Sequence, residues 1–188
     1  MNSTGICVNA EGSFEYYLLA TQPTHKMEKA IEEAEGLELI KVRKETCMNG
    51  EKSKRKSIFQ QINTTENIAY MSQTIADIIA CYKPDYVVIE APAFAAKGRV
   101  ADLAGLNHAI RLECYKQDIP FYPVAPTTVK AHSVGNGWAT KEMMIETWNK
   151  LQPQSQEWID AGIKVDDLAD AYFLCTFDLE SVDIEPGE

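Results

Sequence analysis

Short apolar runs set off by turn residues open the chain. Thr4 to Asn9 (TGICVN) and Phe14 to Ala20 (FEYYLLA) read as strands, and Glu11-Gly12 between them makes a β-hairpin. Lys26 to Glu35 reads as a short charged helix stopped by Gly36, and Leu37 to Val42 as a further strand. The period then lengthens to 3.6. Ile68, Met71, Ile75, Ile78, Ile79 and Tyr82 share one helical face, and Asn63 or Thr64 is placed to cap that helix. Pro84-Asp85 turns the chain into Tyr86-Val87-Val88-Ile89, a strand apolar enough to be buried on both faces. Glu90 closes this strand before Ala91-Pro92.

Beyond it the pattern predicts a helix from Ala101 to Gln117, with Leu103, Leu106 and Ile110 on one face. A strand follows from Ile119 to Ala125, which Pro120 and Pro123 push to a sheet edge. A short helix around Thr128 to Ala131, a Gly135-Asn136-Gly137 turn and a helix from Thr140 to Leu151 come next, and Pro153 ends that helix. The last helix runs from near Asp166 to near Leu179, and an acidic tail closes the chain at residues 180–188. A hairpin followed by alternating helices and strands predicts one α/β domain with a mixed sheet over residues 1–188.

Composition changes this picture little. With 188 residues, 45% hydrophobic and 24% charged, the chain is large enough to bury its own core. No apolar run reaches the length of a membrane span, and no CxxC pair suggests zinc, so a reducing cytoplasm is the expected setting. The net charge of −10 argues against a protein that coats nucleic acid non-specifically, but not against an enzyme with localised base. Lys52, Lys54, Arg55 and Lys56 form the densest basic stretch, read either as a solvated loop or as a phosphate contact.

Two acidic features carry the candidate chemistry. Glu90 stands at the carboxyl end of a buried strand, where open α/β sheets place ligands, although a glutamate there can simply meet solvent. Asp167 and Asp170 lie three apart in Val165-Asp166-Asp167-Leu168-Ala169-Asp170-Ala171 and so share a helical face. Asp166 is a natural N-cap, and capping explains one or two of these acids. Asp170 precedes an apolar run, and an aspartate on such a face needs a partner or a cation. Glu90, Asp167 and Asp170 together would form an all-oxygen site suited to magnesium or manganese. Lys141, in the first turn of its helix, opposes the helix dipole and is either an ordinary surface lysine or a functional one. His108 and His132 read as structural.

The ordered set Ser3-Thr4-Gly5, Pro84 to Glu90, Ala125-Pro126, Val129-Lys130, Gly135 to Lys141 and Asp167-Leu168-Ala169-Asp170-Ala171 resembles the RuvC family of Holliday-junction resolvases, in its phage-like branch. Residues 22–60 fall outside that resemblance. It implies a ribonuclease H-like mixed five-stranded sheet flanked by helices. It implies a homodimeric endonuclease for four-way or other branched DNA, serving recombination, repair or phage DNA processing. By the same resemblance Glu90, Asp167 and Asp170 hold two magnesium or manganese ions per site. Lys130 and Lys141 would face the scissile phosphate, and Lys97 and Arg99 neighbouring phosphates. Phe94 would be the aromatic that disturbs base stacking, or else a core residue.

The resemblance also implies a first-strand aspartate in a pattern close to Asp-Pro-Ser-x-Asn-Ser-Thr-Gly, with Met1 at the x position. The expectation is that Met1 is an internal methionine and that a central strand precedes it. Without that strand, the Thr4 and Glu90 strands would stand near 9.5 Å apart, about two strand spacings, leaving a gap in the sheet. Such a chain would be expected to lack nuclease activity. Two other expectations compete: a branched-DNA-binding protein that does not cut, and a ribonuclease H-like nuclease acting on flaps or RNA–DNA hybrids.

Overall fold

A computed structural model of the chain describes residues 3–21, 23–41, 56–92 and 100–179. The hairpin forms as predicted, with β1 (Ser3–Ala10) and β2 (Ser13–Ala20) antiparallel and Ser3 opposite Ala20. Glu11 (φ 54°) and Gly12 (φ 90°) are both left-handed, which matches the twist of the strands, and Asn9 Oδ1 accepts the Gly12 N–H at 2.9 Å. Thr24 caps α1 (His25–Glu32) by accepting the Met27 N–H at 3.2 Å. The chain then returns as β3 (Leu37–Lys41), parallel to β2.

The next helix begins earlier than its expected cap. The helix α2 (Lys56–Tyr82) has no glycine or proline between Glu51 and Lys83 to stop it, so it runs back past Asn63 and Thr64. Both residues are interior, and the Oδ1 of Asn63 is buried without a partner. After β4 (Val87–Glu90) come α3 (Val100–Lys116), β5 (Phe121–Val124), α4 (Pro126–Val134) and α5 (Lys141–Leu151). The helices α6 (Ser155–Asp160) and α7 (Asp166–Cys175) complete the described chain. The short α6 was not foreseen. It is anchored by Trp158, which is buried against Tyr16 and donates its indole N–H to the Glu35 carbonyl at 3.1 Å. The final helix stops at Cys175, short of the expected Leu179.

Among the described residues the five strands form two sheets. One has the order β1-β2-β3, and the other pairs β4 with β5 in parallel. Among the described residues β1 and β4 do not hydrogen-bond to each other. β5 is an edge strand, with Pro123 opposite Ile89. Both sheets lie between the same helical layers. Ile6, Leu19, Val87, Ile89 and Phe121 pack with Met71, Ile75 and Ile79 of α2 and Leu106 and Ile110 of α3. Tyr16, Leu18, Val88 and Val124 pack on the other face, with Trp148 of α5 and Leu168, Ala169 and Tyr172 of α7. The contact between α7 and β1 is especially close. A Cβ on Gly5 would stand 2.1 Å from the Asp167 carbonyl oxygen, so no larger residue fits there without movement. No described helix is long and apolar enough to cross a membrane.

Candidate active site

Glu90 is the last residue of β4. The Ala91 N–H still reaches the Val124 carbonyl at 2.7 Å before Pro92 ends the ladder, and Asn107 of α3 donates to the Glu90 backbone carbonyl at 2.7 Å. The end of the strand is therefore held from two sides. Because strand side chains alternate, Glu90 emerges on the face of Val88, toward α7, while Val87 and Ile89 face α2 and α3.

The charges around Glu90 show what converges there. Solvent reaches this residue, yet surrounding protein raises its carboxyl above the usual range. The Asp170 charge adds to that rise, and Asp167 adds a smaller part. Lys141 and Lys130 pull in the opposite direction without cancelling it. Burial likewise raises Asp170. There Lys141 opposes the rise, Asp167 and Asp166 reinforce it, and Lys130 opposes it weakly. The five residues Glu90, Asp167, Asp170, Lys130 and Lys141 come from β4, α7, α4 and α5, and they meet in one electrostatic neighbourhood.

Asp166 plays a different part from the one its position suggested. Val165 is the cap residue of α7 and no side chain caps the helix, so the expected N-cap role of Asp166 is corrected. Instead its Oδ2 accepts Lys141 Nζ at 2.7 Å and Lys164 Nζ at 3.2 Å. Burial works to raise the Asp166 carboxyl, but the two lysines outweigh it and bring it below its usual value. Burial also disfavours the charged form of Lys141, and Asp166, with Asp170 and Asp167 behind it, raises its pKa in net. Thr140 caps α5 by accepting the Met143 N–H at 3.3 Å, which fixes Lys141 as the first helical residue. Asp167 is held as well: Ser3 Oγ of β1 donates to its Oδ2 at 2.5 Å.

The donor chemistry suits a hard cation. Glu90 and Asp170 are raised first by burial and further by neighbouring carboxylates, and Asp166 Oδ1 is buried with no partner. The acids are near one another but not closed on a single point. Among the described residues, no three His, Cys, Asp or Glu side chains are grouped so as to hold one ion. Phe94, Lys97 and Arg99 lie outside the described residues. His132 packs edge-on against Phe173 and Phe177, and His108 is exposed on α3. Sequence reasoning missed Lys164 and the pairing roles of Ser3 and Asp166, although Ser3 stood in the ordered set that carries the resemblance. For Lys164 the only signal was a Lys-x-Asp spacing at 164–166, which is common on any surface.

Carboxylates from a strand end and a helix start, bordered by lysines in an α/β frame, define the class of site: an acidic, oxygen-donor centre flanked by cations, the kind that handles phosphate with hard metal ions. The sequence profile of the family described as crossover junction endodeoxyribonuclease RuvC matches residues 45–173, and the chain belongs to that family. Members of the family are crossover junction endodeoxyribonucleases that depend on divalent metal. The match takes in residues 45–60, part of the stretch first set apart, and begins after Ser3-Thr4-Gly5. Among solved structures, the chain is similar to RuvC of Thermus thermophilus at 16% identity and a TM-score of 0.49. That alignment covers 91% of this chain and 82% of the other. It is also similar to T. thermophilus RuvC in complex with a Holliday junction substrate, at 20% identity and a TM-score of 0.46. Here 58% of this chain and 64% of the other are covered.

Proposed function

We propose that this protein cuts phosphodiesters in four-way and related branched DNA with the help of magnesium or manganese. The observation that carries this reading is the convergence on Glu90 at the end of β4: burial raises its carboxyl first, Asp170 and Asp167 of α7 add to the rise, and Lys141 and Lys130 oppose it. Acids and bases from four separate elements face one another, as a phosphate-handling site requires. Glu90, Asp167 and Asp170 would hold the cations, two per site. The chemistry that such ions supply is activation of water and stabilisation of the leaving oxygen. Lys141 and Lys130 attract the phosphate and hold it beside the acids. Asp166 orients Lys141, and Lys97, Arg99 and Phe94 contact flanking DNA.

Paired cuts across a junction need two sites related by a two-fold axis, which makes the active unit a homodimer. Leu112 and Tyr115, one turn apart on α3 and exposed, support a second copy on that face. A second reading, binding of branched DNA without cutting, is favoured by the open spacing of the described carboxylates.

Incubation of a labelled four-way junction with magnesium, beside duplex and RNA–DNA hybrid controls, separates the readings. Cutting of the junction is expected, and Glu90→Gln is expected to abolish it while binding survives. Strong residual cutting by that variant would remove Glu90 from the site. Equal cutting of duplex would remove the junction preference, and tight binding with no cutting would leave the second reading.

A further inference from the structure

The turn joining α4 to α5 is braced along its whole length. Gly135, at φ 76°, ends α4, and its N–H donates to the Ala131 carbonyl at 2.8 Å. Asn136 Oδ1 accepts the Trp138 N–H at 3.0 Å, and the Asn136 carbonyl accepts the Ala139 N–H at 3.0 Å. Gly137 passes so near the start of α4 that a Cβ would lie 3.1 Å from the Thr127 carbonyl oxygen. Ala139 is buried, and Thr140 starts α5 as its cap.

On this fixed backbone Trp138 is 89% exposed, whereas Trp148 and Trp158 are 0% and 1% exposed. An indole carries one of the largest apolar surfaces of any side chain, so holding it in water forgoes the burial that the other two tryptophans obtain. The turn is too well bonded for this exposure to come from a frayed segment. Its position is specific too. The turn links the helix that carries Lys130 to the helix that begins with Lys141, and both charges act on Glu90 and Asp170. Along the chain the aromatic therefore falls in the turn between the two lysines whose charges act on Glu90 and Asp170.

We propose that Trp138 is a stacking platform for a nucleobase of the DNA strand that enters this site. The inference rests on the nuclease reading above and adds to it a residue that sets strand register and substrate preference. Lysines recognise phosphate, which every DNA offers alike. A free indole recognises an open base face, which intact duplex withholds and a branch point or single strand presents. Trp138 thus favours branched or unpaired DNA over duplex.

The full chain is tested with two probes, a fluorescein-labelled four-way junction and a duplex of equal length, in calcium. Anisotropy reports affinity, and tryptophan emission reports stacking, because Trp138 is the only exposed tryptophan of the three. Junction DNA is expected to quench the wild-type emission. Trp138→Ala is expected to weaken junction binding about tenfold, with little change for duplex, and Trp138→Phe to recover most of the loss and lack the quench. Melting temperatures of both variants are expected to match wild type, since the indole buries almost nothing. Unchanged junction affinity in Trp138→Ala, an equal loss on duplex, or a changed oligomeric state without a DNA effect would each overturn the inference. Normal junction binding with a silent Trp138 sinks this inference alone, whereas a wild-type chain that fails to bind junctions sinks the nuclease reading with it.

Discussion

Side chains in the acidic site are held away from their ordinary titration, and this makes their roles measurable. Glu90 and Asp170 have folded-state values raised above their unfolded ones, so in metal-free protein the native state holds their protons longer than the unfolded chain does. By linkage, the stability they confer is fully present below the ordinary carboxylate range and is lost as pH rises through the raised values. Thermal melts in EDTA are therefore expected to fall over that window. Glu90→Gln should flatten the fall, and magnesium should raise the melting temperature on its alkaline side. A melting temperature indifferent to pH, to Glu90→Gln and to magnesium would deny that the acids share a site. Asp166 is testable through Lys141. The pair is partly exposed, so its loss is expected to cost about 1 kcal/mol or less. Asp166→Asn should then slow cutting about fivefold and move the alkaline limb of the pH–rate profile down, because Asp166 holds the Lys141 pKa up. A slower variant with an unmoved alkaline limb would make Asp166 merely structural.

Among the elements, α7 determines the site, and its seat on β1 determines α7. Gly5 allows its backbone to approach Asp167 more closely than any Cβ permits. Gly5→Ala is expected to destabilise the fold by about 1–3 kcal/mol, the range for overpacking, and to reduce cutting further by displacing Asp167 and Asp170. Urea unfolding midpoints alongside junction cutting would measure both, and a neutral Gly5→Ala would mean that the contact is soft. Most elements could be read from local pattern. The hairpin carried its turn in Glu11-Gly12, β4 its apolar run, β5 its edge prolines and α5 its Thr140 cap. The start of α2 could not be read this way. Asn63 and Thr64 look like caps, but with no glycine or proline between Glu51 and Lys83 the helix continues through them. The end of α7 was also misjudged, because an apolar run to Leu179 suits a helix and an irregular buried segment equally well.

For the molecule as a whole, a net charge of −10 has to coexist with a polyanionic substrate. Lys130, Lys141 and Lys164 are gathered at the acidic site, and a small number of phosphate contacts is the consequence. The proposed contacts of Lys130, Lys141, Lys97 and Arg99, doubled in a dimer, predict a slope of log affinity against log salt of about −7. A slope clearly steeper than about −10 would mean that a larger cationic surface lies elsewhere. The division of five described strands into two sheets is also a property of the whole. Both sheets share their helical layers, yet the edges of β1 and β4 do not pair.

Local sequence determined which segments become strands and helices, and it singled out Glu90, Asp167 and Asp170 as the acids to watch. Periodicity, turn residues and side-chain type act over a few positions and so can be read there. Only the tertiary structure decided that Asp166 serves Lys141 rather than its own helix, that Ser3 holds Asp167, and that Trp138 is displayed while Trp148 and Trp158 are buried. The reason is physical: each outcome depends on which surfaces meet when elements far apart in the chain pack together, and no local pattern encodes that meeting.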